Sequence, residues 1–309
     1  MERYIDMRAF GVLGAFLCLA LGVGLSACHK DGGQQTYQVQ LIVDNGEGGE
    51  EQASPEAIAD GEPQAETSDQ SSSAEAPEQE PGEPSLDTAS LAAGDVVTPD
   101  AIASAGGVDA FFWSEEIPDA VFARMEGKSF GPDCTMARSD LRYLRLLHVD
   151  AQGTTKVGEL VVHKNVADEV VVIFRQLYDA GYPIKKMHLV DDYNADDDAS
   201  CADDNTSAFN YRLIAGTNTI SNHAYGLAID INTFENPYCR PETGYVSPAE
   251  AAYYADRSLY EPYMIHTDDL CYQLFTQHGW SWGGDWSSPK DYQHFEVPTD
   301  VIRQWYPGY

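Results

Sequence analysis

Residues 226–232 limit what this chain can fold into more than any other run. Leu227, Ile229 and Ile231 alternate there with Ala228, Asp230 and Asn232. A period of two is that of a strand with one apolar face, so the first trio points to a core and Asp230 projects from the other side. His223 precedes the strand in Ser221-Asn222-His223-Ala224-Tyr225-Gly226, seven residues before Asp230. Gly226 lets the chain curl so that both side chains reach one point, and Ala228 leaves room below Asp230. Near the C-terminus, Asp291-Tyr292-Gln293-His294-Phe295-Glu296 adds a second histidine on another strand-like segment, with Asp291 three residues before it. Two imidazoles and one carboxylate are the donor set of a catalytic zinc site that keeps its fourth position for water.

The chemistry of that set divides the roles. Two imidazoles and one carboxylate hold Zn2+, and the spare carboxylate takes the proton from water. Zinc lowers the pKa of water from about 15.7 to roughly 7, so a nearby carboxylate is a sufficient base. Arg212, just upstream, is placed to bind a substrate carboxylate or a developing oxyanion. Ser221 supports the turn by hydrogen bonding and, with Arg212 and Trp286, is a candidate substrate contact. A serine-hydrolase reading fails, because Ser221 and His223 are two residues apart and no G-x-S-x-G elbow exists. The other six histidines, His29, His148, His163, His188, His266 and His278, have no partner pattern and read as packed or solvated.

Charge and composition set the surroundings. The 309 residues carry 50 acidic and 18 basic side chains, a net charge of −32. This excludes recognition of a nucleic-acid backbone, which needs clustered cations. Between Asp31 and Asp100 there are 17 acidic residues and no Lys or Arg, among mostly small and polar residues. Such a segment buries too little apolar surface to offset its ordering entropy. Residues 29–105 are therefore expected to be a disordered acidic tether, with the apolar run 37–43 as a solvated patch. Ahead of it, Arg3 and Arg8 precede a 17-residue apolar run that ends near Leu25-Ser26-Ala27-Cys28. This resembles a lipoprotein signal of a bacterium over residues 1–28, with Cys28 as the lipidated first residue. It implies export and a membrane anchor on the extracytoplasmic face. Four cysteines then remain for a domain in a disulfide-permissive compartment. The expected pairs are Cys239–Cys271 and Cys134–Cys201, and no C-x-x-C pair argues for a thiolate metal site.

Residues 106–309 are long enough for one folded domain. Strands are expected at 140–149, 158–163 and 184–190. Val166, Val170, Ile173, Phe174 and Leu177 fall at helical spacing. Asn165 is the expected cap of that helix, and Gly181 and Pro183 its stop. The acidic run 191–205 lacks the glycine and distal glutamate of an EF-hand, and reads as a solvated loop. Ser247-Pro248-Ala249-Glu250 reads as a capping box opening a helix, and Thr267 as the start of another. Trp280, Trp282 and Trp286 suit either a substrate groove or a small core. Strands and helices without regular alternation indicate an α+β class, a small mixed domain whose central antiparallel sheet carries the zinc site.

The joint pattern S-x-H-x-x-G-x-A-x-D, then W-G-G-x-W, then D-x-x-H-F resembles the VanY-type D-alanyl-D-alanine carboxypeptidases and the related L-alanyl-D-glutamate endopeptidases of phage lysins. Ser221, His223, Gly226, Ala228, Asp230, Trp282, Gly283, Gly284, Trp286, Asp291, His294 and Phe295 carry it. Phe209-Asn210-Tyr211-Arg212 is similar to the upstream arginine motif. The resemblance implies a zinc metallopeptidase acting on peptidoglycan stem peptides, with zinc on His223, Asp230 and His294, Asp291 as base and Arg212 near the substrate. The carboxypeptidase branch has Glu at the base position, whereas this chain has Asp291, as the endopeptidase-like branch does. The expected function is a carboxypeptidase of D-Ala-D-Ala type. The alternatives are an endopeptidase cutting L-Ala-D-Glu, or a non-catalytic cell-wall binding lipoprotein.

Overall fold

The structure is a computed structural model that describes residues 86–307 and the backbone of two upstream strands. Those strands, Leu25–Ala27 and Tyr37–Val39, pair antiparallel and form a unit of their own. The first three residues of the run expected to be a solvated patch are thus in a strand. The rest of the leader, Cys28 and most of the acidic tether lie outside the described residues. Among the described residues, no helix is long and apolar enough to cross a membrane.

The frame of the folded unit is a hairpin of two nine-residue strands, Leu141–Val149 and Thr155–His163, with Trp113–Glu116 on its outer edge. Asp150 closes the hairpin turn by accepting from the backbone N–H groups of Gln152 and Thr154. The helix Ala167–Asp179 covers one face and buries Val170, Ile173, Phe174 and Leu177. Each such side chain contributes about 1.5–3 kcal/mol. The helix ends in a Schellman motif: Tyr182 N–H donates to Leu177 O, and Gly181 N–H to Tyr178 O. Its N-cap is Val166 rather than Asn165, with no side-chain cap bond. Val166 is buried in the core, so packing of that side chain sets the helix start. The same core takes in Leu227, Ile229 and Ile231 from behind the histidine–aspartate strand, and Phe275 and Phe295.

Three further sheets lie on this frame. Ser281–Trp282, His294–Glu296 and Ala228–Asp230 form an antiparallel sheet in that order. Tyr245–Ser247, Tyr238–Arg240 and Lys290–Asp291 form another. Lys186–Met187 and Asn205–Thr206 pair in parallel. The class is α+β as expected, with antiparallel sheets, one of which carries Asp230 and His294.

Four other expectations need correction. Residues 86–105, expected in the disordered tether, are structured. Residues 94–97 lie along the free edge of the Thr155–His163 strand, where Gly94 N–H donates to Val157 O and Val97 N–H to Thr155 O. Thr98 caps the helix Pro99–Ser104, and Val97 and Ala105 are buried against Phe111, Leu147 and Val157. The acidic average of the tether conceals these apolar residues. The 191–205 run is not a solvated loop: it contains the helix Asp197–Ala202, capped by Asp196. Asp191 is buried and accepts from the N–H and Oγ of Ser129. The capping box at Ser247 does not form, because Ser247 is in a strand opposite Tyr238. A 3-10 segment, Ala249–Ala255, follows it. The helix expected from Thr267 is Leu270–Gln277, capped by Asp269.

The cysteines also differ from expectation: Cys134, Cys201, Cys239 and Cys271 are all free thiols. They occupy separate surroundings. Cys134 packs beside the cluster around Ile117 and Met125, and Cys201 lies 3.8 Å from Nε2 of Gln293. Cys239 sits on the Tyr238–Arg240 strand, and Cys271 is in the main core.

Candidate metal centre

The turn before the Ala228–Asp230 strand is built to deliver His223. Asn222–Tyr225 form a 3-10 turn whose N-cap, Ser221, accepts from His223 N–H at 3.3 Å. Gly226 ends it at φ +66°, and a Cβ there would lie 2.6 Å from the backbone nitrogen of His163. Only glycine meets both demands. The chain then runs straight into the strand, where Asp230 lies directly across from His294. Residues opposite each other in an antiparallel pair share a face, so the register itself brings the second histidine to the aspartate.

The three side chains converge. Nε2 of His223 is 3.2 Å from Oδ2 of Asp230 and 3.2 Å from Nδ1 of His294. Nδ1 of His294 is 2.9 Å from Oδ1 of Asp230. All three residues are buried, and among the described residues they are the group that could hold a metal ion. The donors fit zinc: tetrahedral ligands with bonds of about 2.0–2.1 Å stand roughly 3.3 Å apart. Both rings are also held so that one nitrogen faces the centre. Nδ1 of His223 donates to the Ala208 carbonyl at 2.6 Å. Nε2 of His294 lies 3.2 Å from Oε2 of Glu296, which also accepts from Asn222 Nδ2 at 2.5 Å. A ligating histidine almost always gives its other N–H to such an acceptor. Burial opposes ionisation of Asp230, but the two histidines outweigh it and hold the carboxyl well below its usual range. Burial likewise works against a charged His294, yet Asp230 and Glu296 raise its pKa.

Asp291 joins this group from the neighbouring sheet. Its position depends on Gly283, where a Cβ would lie 2.5 Å from the Asp291 carbonyl oxygen. Burial, reinforced by the charge of Asp230, pushes the Asp291 carboxyl up to about 7, against the pull of both histidines. Its Oδ1 is buried with no hydrogen-bond partner. Arg212 pairs with Asp197 at 2.7 Å and is influenced by the charge of Asp230. Its Nε is buried and unpartnered. The ring of Trp286 is centred 5.5 Å from that of His294. Trp280 and Trp282 are core residues, whereas Trp286 lies beside His294. Ser221 is buried in its capping role.

The other described histidines serve elsewhere: His148 bonds Ile184 O, His163 bonds Tyr306 Oη, and His266 stacks on Tyr260. Sequence reading missed Glu296, Asn222 and the Ala208 carbonyl as supports of the rings. Glu296 lies in the quoted motif, two residues after His294, but its partner is fixed only by side-chain direction in the fold.

Residues 215–297 match the family model described as D-alanyl-D-alanine carboxypeptidase. The matched span includes His223, Asp230, Asp291 and His294, and begins three residues after Arg212. It supports the family resemblance over this part of the chain, that of a carboxypeptidase-like peptidase. No curated protein and no solved structure matches the chain.

Proposed function

From that family match, we propose that this protein is an exported, membrane-tethered zinc peptidase that hydrolyses peptidoglycan stem peptides, of the D-Ala-D-Ala carboxypeptidase type. The observation that carries the reading is the buried convergence of His223, Asp230 and His294, with Asp291 beside them and its Oδ1 unpartnered. His223, Asp230 and His294 would hold the ion, which supplies Lewis acidity, activating water and polarising a carbonyl. Asp291 accepts the proton of the attacking water and returns it to the leaving amine. A carboxyl buried enough to titrate near neutrality suits both transfers. Arg212 spends one Nη on Asp197 and keeps its Nε for a substrate oxygen. Trp286 forms an apolar wall at His294. Export and anchoring through Cys28 rest on the leader sequence.

A second reading, endopeptidase cleavage between L-Ala and D-Glu, is favoured by one observation, Asp rather than Glu at position 291. A purely binding role has less support, because ligands, base and arginine are all present. Muropeptide digestion with zinc-loaded protein, with and without a chelator, tests the proposal. Chelator-sensitive release of D-Ala is expected, and a new N-terminal D-Glu would favour the endopeptidase. Asp291→Asn should lower kcat at least about 100-fold while the protein still binds one zinc. Full activity of that variant, or no cleavage by loaded protein, would overturn the reading.

A further inference from the structure

The sheet that presents Asp291 has a second feature on the same face. Asp291 lies opposite Tyr238, Tyr238 opposite Ser247, and Arg240 opposite Tyr245. Opposed residues share a face, as do residues two apart along a strand. Asp291, Tyr238, Ser247, Arg240 and Tyr245 therefore occupy one face, and Lys290, Cys239 and Val246 the other. The second face is the packed one, with Cys239 5% exposed and Lys290 donating to Gly284 O. On the first, Tyr245 is 52% exposed and Arg240 is exposed.

Arg240 is braced there without being neutralised. Its guanidinium carbon lies 5.6 Å from the ring centroids of both Tyr238 and Tyr245, and its Nε donates to Tyr238 Oη at 3.0 Å. It makes no ion pair among the described residues. Glu242, the acid next along the chain, feels the charge of Arg240 but makes its hydrogen bond to Ser288, accepting from Oγ at 2.7 Å. Arg212, by contrast, is committed to Asp197. Both Nη groups of Arg240 thus remain for a ligand, and the two rings have already reduced the freedom that binding would remove. One strand over and two residues along places its Cα about 8 Å from that of Asp291. That is two to three residues of an extended peptide.

We propose that Tyr238, Arg240 and Tyr245 form a subsite for a carboxylate of the substrate, two to three residues from the scissile bond. The subsite makes the enzyme select acidic peptides over their amidated forms. The proposal rests on the peptidase reading and goes beyond it, because it names a substrate charge that the metal centre does not demand. A bidentate guanidinium–carboxylate pair is the recognising contact.

The test uses the full chain and synthetic stem-type peptides that carry a carboxylate or a carboxamide two or three residues from the cleaved bond. Steady-state kinetics and calorimetric binding are read for each. Wild type should favour the acid about tenfold in kcat/KM, through KM, with the preference shrinking at high salt. Arg240→Ala should bring kcat/KM for the acid down to that for the amide, through a raised KM, and Arg240→Lys should keep part of the preference. An equal acid/amide ratio in wild type, or an undiminished ratio in Arg240→Ala, overturns the subsite while cleavage itself upholds the peptidase. Arg240-dependent binding of the acid without cleavage of either peptide keeps the subsite and overturns the peptidase. Absence of both binding and cleavage overturns both.

Discussion

At His294 the two ring nitrogens have different tasks. Nδ1 faces His223 and Asp230, and Nε2 faces Glu296. Glu296 is itself fixed by Asn222, the residue before His223, so one carboxylate ties the two histidine segments together. Losing such an outer carboxylate typically costs 10–100-fold in metal affinity. Glu296→Gln should weaken zinc binding by that amount, read as competition against a chromogenic chelator, and leave Asp291 chemistry in saturating zinc largely intact. Unchanged zinc affinity would show that the ring is oriented by packing alone. His223, Asp230 and His294 were legible in the sequence because their residue types express one donor set. Glu296 was not, because an acceptor's role depends on which nitrogen turns toward it. A second carboxyl, Glu235, is also governed by the fold. Burial and the adjacent Asp204, opposed by Lys185, push it up to about 8. The folded state therefore keeps a proton that the unfolded chain releases near the ordinary glutamate value of about 4.3. Stability must fall as pH rises between these two values and level off above the upper one. Glu235→Gln should flatten that decline, raising Tm at pH 8 more than at pH 5. Parallel Tm–pH curves for variant and wild type would remove Glu235 from the account.

Elements were legible where apolar periodicity decided them and obscure where hydrogen-bonding partners did. The alternation at 227–231 gave the correct core face, and the Val170, Ile173, Phe174 and Leu177 stripe is the buried face of its helix. Caps were read less well. Asn165 and Ser247 are good capping types, yet Val166 takes the first position by packing and Ser247 is held in a strand. Asp269, by contrast, caps its helix through Tyr272 N–H at 2.9 Å. The turn that ends at Gly226 is where sequence and structure agree most closely, and its demand is quantitative. A left-handed conformation costs a residue with a Cβ about 1–2 kcal/mol, and here that Cβ would also press on His163 N and on the Val162 carbonyl carbon 2.9 Å away. Gly226→Ala should lower Tm by several degrees and also weaken zinc binding, since His223 lies in the turn that must shift. A stable variant with native zinc affinity would mean that the His163 strand yields freely.

For the whole molecule, composition assigned residues 86–105 to the tether, whereas they pack on the hairpin. Residues 86–105 share the acidic character of what precedes them, yet their few apolar side chains have specific destinations. Val97 and Ala105 pack on Phe111, Leu147 and Val157, with Leu86, Leu91 and Ile102 around them. The backbone of 94–97 covers the Thr155–His163 edge, which would otherwise offer unpaired N–H and C=O groups. Arg145, only 3% exposed, donates to the carbonyls of Thr88 and Leu91, and a buried cation without acceptors is costly. Removing residues 1–85 and removing residues 1–105 should therefore give different proteins. The longer deletion strips the cover from Leu147, Val157 and Arg145. Uncovering two such side chains costs on the order of 3 kcal/mol, which for a unit of this size lowers Tm by about 6–12 °C. It also leaves a bare strand edge open to pairing with a second chain. Calorimetry and light scattering on the two truncations measure both effects. Equal Tm values with no self-association in the longer deletion would show that the 86–105 segment adds nothing to the fold. The expected gap would instead place it within the folded unit, far from the candidate metal site in sequence and bound to the hairpin against which the turn carrying His223 packs.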